Sequence, residues 1–378
     1  MLASRGWRLR VLPPLAALLF ALAVHVAAAV YGGFDPLDAH TWTSFDSPIY
    51  LDIAQRGYVA WECPQAELDQ DATACGNFGW FPVYPALIWA LLQVGIAPET
   101  AGVLVSLAFW ALLLGVLWNG LLLSLVPRER SVLAALALAT VAPGTFYFQT
   151  VYPMALSGCL LVVALVGLVR ARWWWAGGAA FLATAAYPGS AALIVVAGLW
   201  LLFVAPAPSV VERVRRAAIV CGLGVAGFLA VLLYAELATG QWDGYFGVQA
   251  RFHHGIHFPL GNWLDISRPR TTGLGGISIF LAFQSWLTTV MVLAAVVVTW
   301  LRRREAAAVE WLFVLYGLAF WLIPLMQNVV AYYRTDALLV PIVVVLARLP
   351  LAVAGALLAA ATVVSAGMTL AFMQGVLV

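Results

Sequence analysis

WTSFDSPIYLDIAQRGY, residues 42–58, is a short polar stretch set between two long apolar regions. Ser47 reads as an N-cap and Pro48 as the first helical position, where proline's fixed φ fits and its missing N–H is no loss. Gly57 reads as the stop. Between them Ile49, Tyr50, Ile53 and Ala54 share one helical face. Asp52, Gln55 and Arg56 share the other, with Asp52 and Arg56 spaced for an ion pair. Such a helix can lie on a membrane surface with its apolar side down. Asp46 then stands at the positive end of the helix dipole, at the water interface, where a carboxylate stays ionised and can act as a base. The plainer alternative is that Asp46 only caps the helix.

The rest of the chain explains why a polar stretch stands out. Of 378 residues, 64% are hydrophobic and 10% charged, against about 25% charged in an ordinary soluble domain. The fold class expected is an all-α polytopic membrane protein forming a single domain. All 19 basic residues are arginine. With many alanines, that usage points to a GC-rich bacterial genome and a bacterial plasma membrane. No basic tail or stripe is present, which argues against nucleic acid as a partner. The 17 Trp and 12 Tyr suit extensive contact with bilayer interfaces. Cys159 and Cys221 lie in apolar runs and read as packing residues. Cys63 and Cys75 lie in a polar loop and can close a short disulfide if that loop faces an oxidising compartment.

Arg5, Arg8 and Arg10 precede an apolar run of spanning length, which reads as an uncleaved first span with a cytoplasmic N-terminus. A first external loop follows at 31–80, rich in Asp and Glu against Arg56 alone. Residues 80–97 are apolar but short and broken by Pro82 and Pro85. Were they to cross, the cluster at Arg128 and Arg130 would fall outside, so they read as an interfacial or re-entrant helix. Arginine clusters then alternate with apolar runs to give about eleven crossings, with a second large external loop at 239–275.

The order of motifs resembles the PIG-V type of mannosyltransferase, a branch of the GT-C superfamily of multispanning glycosyltransferases. FDSPIYLDIAQRGY is similar to that family's aromatic-Asp-Ser motif, and FPVYP (Phe81–Pro85) to its Phe-Pro-Leu-Tyr-Pro. Softer echoes are Phe246 and Gln249 in the second loop, and RTDALLVP from Arg334 to Pro341. The chain departs from the family at Tyr152-Pro153-Met154-Ala155, where relatives carry a glutamate, at Tyr187-Pro188-Gly189, and at Thr335.

The resemblance implies transfer of a sugar, mannose by analogy, from a polyprenyl-phosphate donor to an acceptor hydroxyl on a glycolipid or glycan at the outer face, with inversion. Asp46 is the candidate base. Arg334, and secondarily Arg251 with Arg268 and Arg270, are candidates for the donor phosphate, since arginine grips phosphate by a fork of donors. The alternatives for Arg334 are a pair with Asp336 or an interfacial anchor. Ser47, Tyr50, Tyr84 and Gln249 are candidate substrate contacts. The cofactor expectation is no resident metal, with a divalent ion left open. Glu62, Glu67, Asp69 and Asp71 read as a solvated acidic loop, and His253, His254 and His257 match no metal-binding spacing. Two rival readings are a lipid-linked sugar flippase and a GT-C-like scaffold without activity. A transporter would place ionisable groups at mid-membrane, whereas here Glu236, late in its apolar run, lies near a predicted external end.

Overall fold

A computed structural model describes residues 6–68, 72–250, 252, 256–268, 278–327 and 332–376. The described residues are predominantly helical and contain no strand beyond one isolated bridge, Ala60 to Gly76. Six helices are long and apolar enough to cross a membrane: Arg8–Tyr31, Pro98–Leu125, Val210–Thr239, Ile279–Leu301, Ala308–Met326 and Leu351–Met373. Their outer faces expose Leu, Val and Trp, as a lipid-facing surface requires. The chain is an integral all-α membrane protein.

The other five apolar runs of the sequence also become helical, but short or segmented. They are Glu129–Val141, Met154–Val169, Trp173–Ala186, Pro188–Val204 and the run from Tyr332 to Leu346. Small residues set how closely these helices approach. A Cβ on Gly227 would lie 2.1 Å from the Phe181 carbonyl oxygen, so helix 210–239 seats directly on helix 173–186. The Thr184 hydroxyl then donates across the contact to the Gly224 carbonyl at 2.7 Å.

The run from Tyr332 to Leu346 is the most deeply buried late segment, and its middle, Asp336–Ile342, tightens into a 3₁₀ turn. Pro341 has no N–H for the Leu338 carbonyl three residues back. The Tyr316 hydroxyl donates to that carbonyl at 2.6 Å, replacing the lost bond from a neighbouring helix. This is how a proline-broken segment stays buried and presents Arg334 at its start.

Helix 83–92 is ten residues long, about 15 Å at the α-helical rise and so half a hydrocarbon core. Tyr84 and Pro85 fall in its first turn, where a missing N–H costs little. The loop before it is closed by a Cys63–Cys75 disulfide, with Cα atoms 5.1 Å apart. Asn77, fully buried, ties this loop down. Its amide donates to Asp52 at 2.8 Å and to the Gly57 carbonyl at 2.9 Å, and its oxygen accepts from the Val59 N–H at 2.8 Å.

Candidate functional site

The 42–58 motif folds as a helix over Ser47–Arg56, stopped by Gly57 at φ 76°. Two details differ from the sequence reading. The capping position is Asp46, not Ser47, and the Asp46 carboxylate makes no capping hydrogen bond. Ser47 instead accepts from the Ser44 N–H at 3.2 Å, closing the turn before the helix. The apolar face also differs: Tyr50, Leu51, Ile53 and Ala54 are buried against protein, chiefly helix 83–92, rather than laid on lipid. The apolar face of this ten-residue helix finds a better-packed partner in the half-length helix beside it. The expected Asp52–Arg56 pair forms on the outer face.

Freed from capping, Asp46 turns to Arg334, 288 residues away, in a close charge-assisted hydrogen bond. Each side chain is about one-fifth exposed (22% and 20%). Asp336 does not compete for the arginine. It points the other way and accepts from Gln284 and Thr288, both at 2.9 Å. The spacing explains the outcome, because residues two apart on a helical turn face opposite sides.

Tyr152 sets the carboxylate's position. Its hydroxyl accepts the Asp46 backbone N–H at 2.9 Å and donates to the Ser44 carbonyl at 3.2 Å. Between those residues Phe45 is held at φ 57°, a left-handed conformation that costs a bulky side chain about 1–2 kcal/mol. The Arg334 guanidinium lies over the Tyr152 ring, 5.6 Å from its centroid. Burial, and then the adjacent Asp46 carboxylate, push the Tyr152 phenol well above the ordinary tyrosine range, so it remains a proton donor. Burial raises Tyr50 similarly, with Arg334 opposing. For Arg334 itself burial opposes the charge, and Asp46 beside it outweighs that and holds the guanidinium firmly protonated.

Arg334 forms part of the wall of a cavity of about 400 Å³. Tyr50, Tyr187, Gln249 and Thr335 line it with a largely apolar remainder that includes the aromatic residues Trp80, Phe81, Phe228 and Tyr245. The buried Nε of Arg334 has no hydrogen-bond partner among the described residues. A concave, mainly apolar chamber with aromatic walls and, among its described residues, Arg334 as the cationic donor suits a ligand that is anionic at one point and apolar or ring-shaped elsewhere.

The structure therefore brings Asp46, Ser47, Tyr50, Gln249 and Arg334 into one region. Gln249 lines the cavity while donating to the Gly79 carbonyl at 3.0 Å, which links the 31–80 and 239–275 loops. Tyr84 is not brought to the cavity. It is fully buried, and its hydroxyl bonds the Gly102 carbonyl at 2.9 Å and Ser106 at 2.8 Å. Arg251 lies outside the described residues, as do Arg270, His253, His254, Asp69 and Asp71. Among the described residues, no group of three or more His, Cys, Asp or Glu gathers as a metal site. Glu62 and Glu67 are not joined into one.

Tyr152 and Tyr187 were visible in the sequence only as departures from a motif; nothing local announced that one clamps Asp46 and the other faces Arg334 across the cavity. Gly144 was also silent. At φ 79°, a Cβ there would lie 2.6 Å from the Ala337 nitrogen and 2.7 Å from the Tyr333 carbonyl oxygen. Its turn thus packs directly on the backbone that carries Arg334.

Three solved structures share this architecture. The oligosaccharyltransferase AglB of Archaeoglobus fulgidus, in complex with an inhibitory peptide and a dolichol-phosphate, aligns with a TM-score of 0.53 at 13% identity, over 96% of this chain and 56% of that one. The apo form of the Archaeoglobus fulgidus oligosaccharyltransferase aligns at 0.53 and 13% identity, over 98% and 56%. The same enzyme tethered to an acceptor peptide containing the NVT sequon aligns at 0.52 and 14% identity, over 95% and 55%. The chain thus spans little more than half the length of these proteins. No protein-family comparison and no comparison with curated proteins returns a match. The chain is an integral all-α membrane protein that shares the fold of these oligosaccharyltransferase structures.

Proposed function

We propose that the chain is a membrane glycosyltransferase that moves a sugar, mannose by the PIG-V resemblance, from a polyprenyl-phosphate donor to an acceptor hydroxyl. The observation that carries this reading is the Asp46–Arg334 pair, whose arginine lines a cavity rich in aromatic side chains. The dolichol-phosphate bound by the archaeal neighbour supports a lipid phosphate as the donor class.

In this reading the donor phosphate takes the Arg334 donors, including the unpartnered Nε. Aromatic walls stack against the sugar ring. Release of Arg334 leaves the Asp46 carboxylate as the nearest base. It accepts the acceptor's hydroxyl proton as that oxygen attacks the anomeric carbon. The bond from the anomeric carbon to the phosphate oxygen breaks on the opposite face, and polyprenyl phosphate leaves with the electron pair, its charge held by Arg334. One displacement inverts the anomeric centre. The acceptor is a glycolipid or glycan presented from the same side of the bilayer, and the loops carrying the site face outward while the arginine-rich end faces the cytoplasm.

The test is transfer from labelled polyprenyl-phosphate mannose into a crude lipid-acceptor extract by purified protein in liposomes, with Asp46→Asn alongside. Transfer lost in the folded variant supports the reading. Equal transfer removes Asp46 as base. No transfer from any of several lipid-linked sugars overturns the glycosyltransferase reading.

A further inference from the structure

At the end of the molecule opposite the cavity, helix 98–125 departs from regular α geometry. Residues Leu117–Leu122 form a π-helical turn. Such turns widen a helix and re-aim its side chains. Here Trp118 and Asn119 reach the first helix: the Trp118 indole donates to the Leu9 carbonyl at 2.9 Å, and the Asn119 amide donates to the Arg10 carbonyl at 3.1 Å. Both bonds fix the backbone on which Arg10 is carried.

Arg170 comes to the same place from a third helix. It caps Met154–Val169, and the chain turns at once through Ala171, at φ 55°. Phe45 beside Asp46 and Ala171 beside Arg170 are the two non-glycine residues with positive φ among the described residues. In Ala171 the left-handed stop occupies a position that glycine ordinarily fills.

Arg10, Val11, Asn119, Leu123, Ser124 and Arg170 line a pocket of about 480 Å³. Among the described residues, neither arginine has a carboxylate partner. Elsewhere among the arginine clusters, Arg215 and Arg216 both bind Glu212, and Arg302 and Arg348 both approach Glu310, whereas Arg128, Arg130, Arg172, Arg303 and Arg304 likewise have no carboxylate partner among the described residues; what sets Arg10 and Arg170 apart is that they share one pocket. The pocket is amphipathic. Its polar part is the two guanidiniums with Asn119 and Ser124. Its other wall is Val11 (48% exposed) and Leu123 (43%), on helices of spanning length. A soluble anion would meet only half of this surface.

We propose that this pocket is a binding site for a membrane lipid with an anionic phosphate headgroup, held by Arg10 and Arg170 with its glycerol and upper acyl region against Val11 and Leu123. Two unpaired cations at a bilayer surface attract such a lipid, each arginine contributing about tenfold or less in affinity. The site is separate from the cavity at Arg334 and does not depend on the transfer reaction.

The experiment is native mass spectrometry of the purified full chain in detergent, titrated with dioleoyl phosphatidylglycerol or dioleoyl phosphatidylcholine. Wild type should retain one phosphatidylglycerol about 30-fold more tightly than R10Q/R170Q, with no such difference for phosphatidylcholine. Millimolar glycerol phosphate should fail to displace the lipid. Both arginines are surface-exposed, so the double variant should fold, and an unchanged melting profile in phosphatidylcholine verifies that. A V11N/L123N variant should also weaken retention, which separates the apolar wall from simple charge attraction. Equal retention by wild type and R10Q/R170Q overturns the proposal. Displacement by glycerol phosphate at the lipid's own affinity also overturns it, in favour of a soluble anion.

Discussion

Among the described residues, ion pairs at Glu310 and at Asp46 each join separate helices of this chain, and the two places differ. At the arginine-rich end Glu310 receives Arg348 at 3.1 Å and Arg302 at 3.7 Å, and Arg348 also donates to the Leu125 carbonyl at 3.0 Å. That cluster fastens helix ends together. At the other end Asp46 receives Arg334 beside a cavity of about 400 Å³, behind a left-handed Phe45. Both clusters leave buried polar atoms without a hydrogen bond among the described residues, Glu310 Oε2 and Arg302 Nη1 in one and Arg334 Nε in the other. An unpartnered atom is therefore no mark of function by itself. What distinguishes Asp46–Arg334 is the aromatic chamber that one partner lines and the backbone strain that positions the other.

The sharpest way to break this comparison is to neutralise each carboxylate. Asp46→Asn should lower sugar transfer by about 10²–10⁴-fold, the usual range for a general base, with the fold kept. Glu310→Gln should keep transfer within a few-fold and cost about 1.5–3 kcal/mol of stability, the range for hydrogen bonds to charged groups. Transfer assays and thermal unfolding on both variants decide it, and equal loss of transfer in the two would erase the distinction. Arg334→Lys keeps the charge but removes the planar fork. It should raise the donor KM about 10-fold while the acceptor KM changes little, and an unchanged donor KM would remove the phosphate role.

Smaller effects refine the site's support. Gly144→Ala places a Cβ against backbone atoms of the Arg334 segment. It should cost about 2 kcal/mol or more, from left-handed strain and the clash together, and lower transfer with it. Measured by thermal unfolding, a neutral result would mean the turn has room to shift. Tyr84→Phe should leave transfer within about twofold and cost about 1 kcal/mol, because its hydroxyl is buried against Gly102 and Ser106, away from the cavity lining. A large loss of transfer would return Tyr84 to the substrate.

The helices were legible in the sequence because apolar runs of bilayer length have few other stable states. Gly57 as a stop, Asp52–Arg56 as a pair and Cys63–Cys75 as a bridge were legible too, since each is a local relation between near neighbours. The capping position moved by one residue, from Ser47 to Asp46, and that shift carried meaning: the carboxylate at the cap was engaged elsewhere. The helix's apolar face was legible as a face, but its partner, protein rather than lipid, was not.

By itself the sequence determined that this is a helical membrane protein with a polar motif at its centre, and it marked Asp46 and Arg334 as separate candidates. Only the tertiary structure decided that these two meet across 288 residues, that Asp336 turns away, that Tyr152 holds the Asp46 backbone, and that Tyr84, expected at the substrate, is buried away from the cavity. Local patterning fixes which residues face a helix's interior or surface. Which distant side chain a charge finds depends on how whole helices pack, and that is set here by small residues such as Gly144 and Gly227, whose role lies in the space they leave.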